Sequence, residues 1–221
     1  MSEESNNRIL GDFMEIKRFI YGSCMANSYV LSSEVSKSAV LFDCSGANDK
    51  ILEYIAENQL ILKAIFLTHG HFDHISGLYE LREKTGARVY IYEAENVFLS
   101  DVGLNLADFD DSFKNEKMLD TADVLLNDGD TVKIDDLLVE VIHTPGHTTG
   151  CLCYKVGDSL FSGDTLFKQS IGRTDFPTGD YGEEISSIHR KLMVLDDNIK
   201  VYPGHGFSTT IGNERRENPY L

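Results

Sequence analysis

Residues 68–74 are Thr68-His69-Gly70-His71-Phe72-Asp73-His74, a heptapeptide that constrains both fold and chemistry. Three of the seven histidines fall within six residues, with a carboxylate among them. The stretch follows the apolar run Leu60-Ile61-Leu62-Lys63-Ala64-Ile65-Phe66-Leu67, which predicts a buried strand over 60–67. A strand ending in His-x-His-x-Asp-His sets several metal-capable side chains at one sheet edge. Neutral imidazole and carboxylate suit zinc, iron or manganese. Burying so many polar groups without an ion would require a separate partner for each. A merely exposed polar loop is disfavoured, because similar residues recur downstream in matching contexts.

Three such residues follow. His147 lies in His143-Thr144-Pro145-Gly146-His147-Thr148, after the strand-like run 137–142. Asp164 lies in Phe161-Ser162-Gly163-Asp164-Thr165, after a predicted strand over 159–161. His205 lies in Val201-Tyr202-Pro203-Gly204-His205-Gly206, after a short strand expected over 199–202. Gly and Pro flanks let the backbone turn sharply and expose each side chain. Four strand ends converging on one rim describe a loop-built active site. A catalytic zinc usually takes three protein ligands and keeps a position open for water. Five histidines and two aspartates therefore suit two ions, ~3.5–4 Å apart and sharing a bridging carboxylate. Spacing alone leaves the division of ligands between the ions open.

The chain resembles the metallo-β-lactamase-fold hydrolase superfamily, with Thr68 to His74, His147, Asp164 and His205 in the family order. Within it the chain is similar to the glyoxalase II-like (hydroxyacylglutathione hydrolase-like) branch in its short single-domain form. That likeness is carried by Thr144-Pro145-Gly146-His147-Thr148-Thr149-Gly150, Ser162-Gly163-Asp164-Thr165-Leu166-Phe167, Gly172-Arg173-Thr174-Asp175-Phe176-Pro177 and Asn218-Pro219-Tyr220-Leu221. The resemblance implies an α/β (α+β) fold, a four-layer αββα sandwich. It assigns His69, His71 and His147 to one metal and Asp73, His74 and His205 to the other, with Asp164 bridging. The implied cofactors are two divalent ions, zinc first, with iron or manganese possible. The implied activity is hydrolysis of a small-molecule thioester such as S-(2-hydroxyacyl)glutathione by a metal-bound hydroxide, with Asp73 as the catalytic residue that orients it or shuttles its proton. A thiolate leaving group needs no acid, because thiols are already fairly acidic (~8.5).

Substrate recognition resembles that branch less closely. In full-length glyoxalase II enzymes a helical extension, and a Lys and a Tyr after the bridging Asp, help to hold glutathione. Here the Tyr is absent, Arg173 stands where Lys would, and the chain ends at Leu221, before such an extension. Arg173 and Lys168 are the candidate substrate contacts. Arg173 can grip a carboxylate bidentately or close its own loop on Asp175, and the sequence favours neither. The same Gly172–Phe176 stretch also resembles persulfide dioxygenases, which hold one iron with two His and one Asp, here His69, His147 and Asp164. That oxidoreductase is the alternative reading. A flavodiiron-type enzyme would carry Glu at 71, and a true β-lactamase usually carries Cys at the bridging position, where this chain has Asp164. His143 is expected outside the ligand set and His189 on a helix surface.

Bulk properties agree with a soluble enzyme. The 221 residues, 42% of them hydrophobic, suffice for one sizeable core. Residues 12–221 are expected to form a single domain and 1–11 a flexible N-terminus. The acidic start is no signal peptide, and no apolar run reaches the ~18–20 residues of a membrane span. The net charge of −16 repels nucleic acid and anionic membrane, so neither is an expected partner. The chain is expected as a monomer or homodimer. Cys24, Cys44, Cys151 and Cys153 suggest no bridge, since alternating cysteines on one strand are poorly placed to pair. A reducing cytoplasmic location is the simplest expectation.

The rest of the chain reads as strands over 14–20, 28–31, 39–42, 88–92, 131–134, 137–142 and 151–156. Helices are expected over 47–58, 75–84, 93–100, 181–195 and 210–216. Residues 103–123 read as a long irregular loop, with Asp108, Asp110 and Asp111 close together, and a loop of this length tends to border a site.

Overall fold

The computed structural model of the chain describes residues 7–8, 13–109, 113 and 116–221. The first half forms a seven-stranded sheet ordered β1 (Asn7–Arg8), β2 (Met14–Tyr21), β3 (Ala26–Ser33), β4 (Ser38–Phe42), β5 (Ile61–Phe66), β6 (Arg88–Tyr92) and β7 (Val124–Leu126). Strands β1 to β4 pair antiparallel, and β4 to β7 pair parallel. The second half forms a six-stranded sheet from β8 (Thr131–Ile134), β9 (Leu137–His143), β10 (Leu152–Val156), β11 (Ser159–Gly163), β14 (Lys200–Pro203) and β15 (Thr209–Thr210), with a small hairpin, β12 (Leu166–Phe167) and β13 (Ser170–Ile171), beside it. Strand β4 is buried on every residue, as a strand covered on both faces must be.

Three apolar layers follow. Between the sheets lie Phe42, Phe66, Leu137, Val139, Tyr154 and Phe161. Phe42 and Phe161 stack across this interface with ring centroids 3.8 Å apart. Each such buried aromatic contributes roughly 1.5–3 kcal/mol of transfer free energy. Outside the first sheet, α1 (Asn48–Glu57) buries Ile51 and Ile55, and α3 (Leu78–Thr85) buries Leu78 and Leu81. Outside the second sheet, Ile188 and Leu192 and, on α5 (Ile211–Glu217), Ile211 close the third layer. The arrangement is the expected αββα sandwich.

Strand directions place the site. Strands β9 and β11 both run antiparallel to β10, and β14 runs parallel to β11. The C-terminal ends of β9, β11 and β14 therefore share one edge of the second sheet. Leu152 N–H donates to the Thr68 carbonyl at 2.8 Å, which ties that edge to the end of β5.

Local corrections have local causes. The expected helix over 75–84 is two helices, α2 (Phe72–Ile75) and α3, separated by Gly77 in the left-handed region at φ 72. Asn48 donates to the Gly77 carbonyl at 2.9 Å, so a contact from α1 holds the break. The helix over 181–195 is α4 (Tyr181–Ser187) followed by a π-helical turn over Ile188–Leu192. The stretch 93–100 is a 3-10 helix, Glu93–Leu99. Strand β3 outruns the expected 28–31, and β7, β12, β13 and β15 are too short to carry a period. The loop 103–123 contains a 3-10 turn at Ala107–Phe109 and anchors Phe113 and Leu119 in the outer core. Asp110 and Asp111, and residues 1–11 apart from Asn7–Arg8, lie outside the described residues.

Candidate metal centre

The loop after β5 is held by a carboxylate from the end of β4. Asp43, at φ 57, accepts from Thr68 N–H at 2.7 Å and from Thr68 Oγ1 at 2.8 Å. Thr68 has one hydroxyl proton, so against His69 Nδ1 at 3.1 Å it accepts. That sets the His69 tautomer and leaves its Nε2 as a lone pair. Asp43 Oδ2 also accepts from His74 Nδ1 at 2.8 Å. His147 Nδ1 donates to the Arg173 carbonyl at 2.6 Å, and His205 Nδ1 to the Cys24 carbonyl at 3.1 Å. Four imidazoles are thus anchored by Nδ1, with Nε2 turned inward, the usual way a protein orients histidine ligands.

The inward atoms converge. His71 Nδ1 stands 3.0 Å from His147 Nε2, and His74 Nε2 stands 3.4 Å from His205 Nε2. Asp164 lies between the pairs, with Oδ1 3.3 Å from His74 Nε2, and Oδ2 3.7 Å from His147 Nε2 and 3.5 Å from His205 Nε2. Asp73 Oδ2 is 3.3 Å from His205 Nε2 and 3.8 Å from His74 Nε2. Two triads, His69/His71/His147 and Asp73/His74/His205, are linked by a third group, His69/His74/Asp164, each with ligand atoms within 4.8 Å of one another. All seven residues expected from the sequence are brought together. Gly204 makes room for them, because a Cβ there would overlap Asp164 Oδ1.

The residues fit divalent ions. His69 Nε2 is buried and has no hydrogen-bond partner, which is costly for a group that nothing else satisfies. Burial lowers His69 well below its ordinary value, His71 to about 3, and His147 as well. The first triad is therefore neutral and ready to donate lone pairs. In the second, burial opposes the charged form, but the carboxylates prevail. Asp164, Asp73 and Asp43 carry His74 well above its ordinary value, and Asp164 and Asp73 carry His205 up to about 10. Burial also works against ionised Asp164 and Asp73, but His74 and His205 hold both low.

A cleft of ≈ 380 Å³ opens above the cluster. Its walls include Phe72, Leu106, Phe167, Ile171 and Phe176. Phe176 stands edge-on to His71 at 5.7 Å, and Phe167 edge-on to His205 at 6.0 Å. Arg173 lines this cleft, but its guanidinium is held bidentately by Asp175, 2.7 Å on each arm, and lies over the Phe176 ring at 4.1 Å. The loop-clamp geometry is thus formed. Lys168 is exposed in the β12–β13 turn and is not among the cleft's lining residues. His143 stacks on Tyr92 at 4.1 Å, outside the cluster, and His189 is exposed.

Sequence reasoning missed Asp43, Glu95 and Glu184. Glu184 Oε2 accepts from His147 N–H at 2.8 Å, and burial raises its carboxyl to about 9. Glu95 Oε2 and Oε1 accept from Gly70 and Gly150 N–H at 3.0 and 2.9 Å.

The family model for the metallo-beta-lactamase superfamily matches residues 21–205. The chain belongs to this superfamily. Among its relatives is the hydroxyacylglutathione hydrolase GloC of Haemophilus influenzae, 37% identical over 193 residues, 84% of this chain and 88% of that one. The crystal structure of the BLEG-1 B3 metallo-beta-lactamase matches with a TM-score of 0.88 at 38% identity, covering 93% of this chain and 99% of that one. TTHA1623, solved in a di-iron-bound form, matches with a TM-score of 0.75 at 31% identity, covering 92% and 99%. This metallo-beta-lactamase superfamily member carries the His/Asp cluster of a divalent-metal hydrolase. Among the described residues no helix is long and apolar enough to cross a membrane.

Proposed function

We propose that the chain is a binuclear metal-dependent thioester hydrolase of glyoxalase II type, with S-(2-hydroxyacyl)glutathione as the leading substrate. The observation that carries this reading is the pair of triads with Asp164 between them. His69, His71 and His147 would hold one ion, and Asp73, His74 and His205 the other. The di-iron form of TTHA1623 and the activity in GloC's name support it. Such ions lower the pKa of a bound water from about 15.7 toward ~7 and stabilise an oxyanion.

The chain's own residues do the rest. Asp164 lies within reach of both triads. Asp73, held in its ionised form, faces the cleft and can accept a proton from the attacking water or orient it. Phe167, Phe176 and Leu106 keep bulk water off the reacting centre and leave an apolar channel for the acyl group or thiol. No group need protonate a thiolate leaving group.

A second reading keeps a specific observation. The Gly172–Phe176 stretch resembles persulfide dioxygenases, and Asp164 Oδ2 stands 3.7 Å from His147 Nε2, as a two-His, one-Asp iron site requires. The test is metal content per chain, followed by three assays on the same preparation: thiol release from S-(2-hydroxyacyl)glutathione, opening of a chromogenic β-lactam, and oxygen uptake with glutathione persulfide. Two metals with thiol release support the hydrolase. One iron with oxygen uptake supports the dioxygenase, and β-lactam opening as the main activity displaces both.

A further inference from the structure

The loop bearing His69 and His71 and the loop bearing His147 come from different sheets, and one side chain joins them. Glu95, in the 3-10 helix after β6, is fully buried. Its two carboxylate oxygens accept from different loops, Gly70 N–H at 3.0 Å and Gly150 N–H at 2.9 Å. No cation lies among these partners. The surroundings are built around the carboxylate. A Cβ on Gly70 would overlap Phe98 Cβ, and a Cβ on Gly150 would stand 2.5 Å from Glu95 Cγ. Gly70 lies between His69 and His71, and Gly150 lies three residues after His147.

We infer that Glu95 is a positioning residue for the His69/His71/His147 triad: its carboxylate sets the spacing of the two ligand loops and thereby the metal affinity of that triad. It touches none of the three imidazoles, so it acts through the backbone. The second triad takes its order from elsewhere, since His74 is held by Asp43 and His205 by the Cys24 carbonyl. The ion of the His69/His71/His147 triad therefore depends on Glu95 more than the other ion does.

Glu95→Gln tests this. Glutamine keeps the shape but has one oxygen, so its NH2 meets one of the two N–H donors head-on. Chelator competition on the metal-loaded protein reads each ion's affinity, and Leu81→Ala, on α3 in the outer core, controls for general destabilisation. The expected result is a 10–100-fold weaker affinity for one ion, the range seen for groups that orient metal ligands, with the other ion weakened less and Leu81→Ala like wild type. Wild-type affinities in Glu95→Gln, or equal weakening in Leu81→Ala, overturn the inference. If Glu95→Gln does not fold, Gly150→Ala displaces the carboxylate instead and must weaken the same ion; unchanged affinity again overturns it. The inference rests on the first triad being a metal site, and wild-type protein that binds no ion refutes that reading rather than the brace.

Discussion

Asp43 Oδ2 lies 2.8 Å from His74 Nδ1 across 31 residues of sequence, and the same carboxylate holds both the backbone and the hydroxyl of Thr68. One buried side chain thus sets the direction of the ligand loop and the orientation of a ligand. Asp43→Ala strands three buried donors, each costing ~1–3 kcal/mol when unsatisfied. Denaturant unfolding of the metal-free protein is expected to show a loss of roughly 3–5 kcal/mol, and a loss below ~1 kcal/mol would show that water replaces the carboxylate.

His69→Ala and Asp164→Ala should each remove metal and reduce turnover by two orders of magnitude or more, about 3 kcal/mol of transition-state stabilisation. Elemental analysis and initial rates check this together. Full activity in either variant would refute the catalytic reading of the cluster.

Metal binding should release protons. Without metal, His74 is held well above its ordinary value and His205 near 10 by the carboxylates that face them, so both carry a proton at pH 7 that an incoming ion displaces. Affinity should rise about tenfold per pH unit for each proton displaced. Calorimetry in two buffers of different ionisation enthalpy counts those protons, and a count of zero contradicts the assignment. The raised value of His205 also stabilises the metal-free fold; that contribution is complete below the unfolded value of ~6.5 and is lost as pH rises through about 10.

Arg173→Ala separates its two roles. If the guanidinium leaves Asp175 to grip an anionic substrate, KM for an anionic thioester should rise several-fold more than KM for a neutral one. Asp175→Ala, which frees the guanidinium, should lower KM for the anionic substrate. Equal effects on both substrates make the Arg173–Asp175 pair a loop clamp only, and its exposure then implies little effect on stability.

Only one thiol should react in the folded protein. Cys24 is exposed at the cleft mouth, and Cys44, Cys151 and Cys153 are buried. Burial pushes Cys44 and Cys153 up to about 12, so neither forms the reactive thiolate near neutrality. Titration with a thiol reagent should find one fast group per chain, and four only after unfolding. Two or more fast groups in the native protein would mean that the cores around β4 or β10 open readily.

The metal cluster was legible in the sequence because its chemistry is concentrated. Five of the seven residues are histidines, four of the seven fall within one heptapeptide, and each motif follows an apolar strand that Gly or Pro ends. Periodicity likewise disclosed most strands and the helix at 48–57, whose apolar face carries Ile51 and Ile55. It did not disclose the break at Gly77, because Asn48 from another helix holds that turn.

The candidate ligand residues could be read from local runs of residue type, and the αββα class followed from the resemblance that those motifs carry. What holds those candidate ligands in place emerged from the packing of the chain. Glu95 and Glu184 sit in helical segments, and Asp43 sits at the end of an apolar strand. Each is buried against backbone N–H groups 25 to 55 residues away. Such pairings follow from how the two sheets meet at one edge, and no local pattern of side chains encodes which distant amide a carboxylate will find.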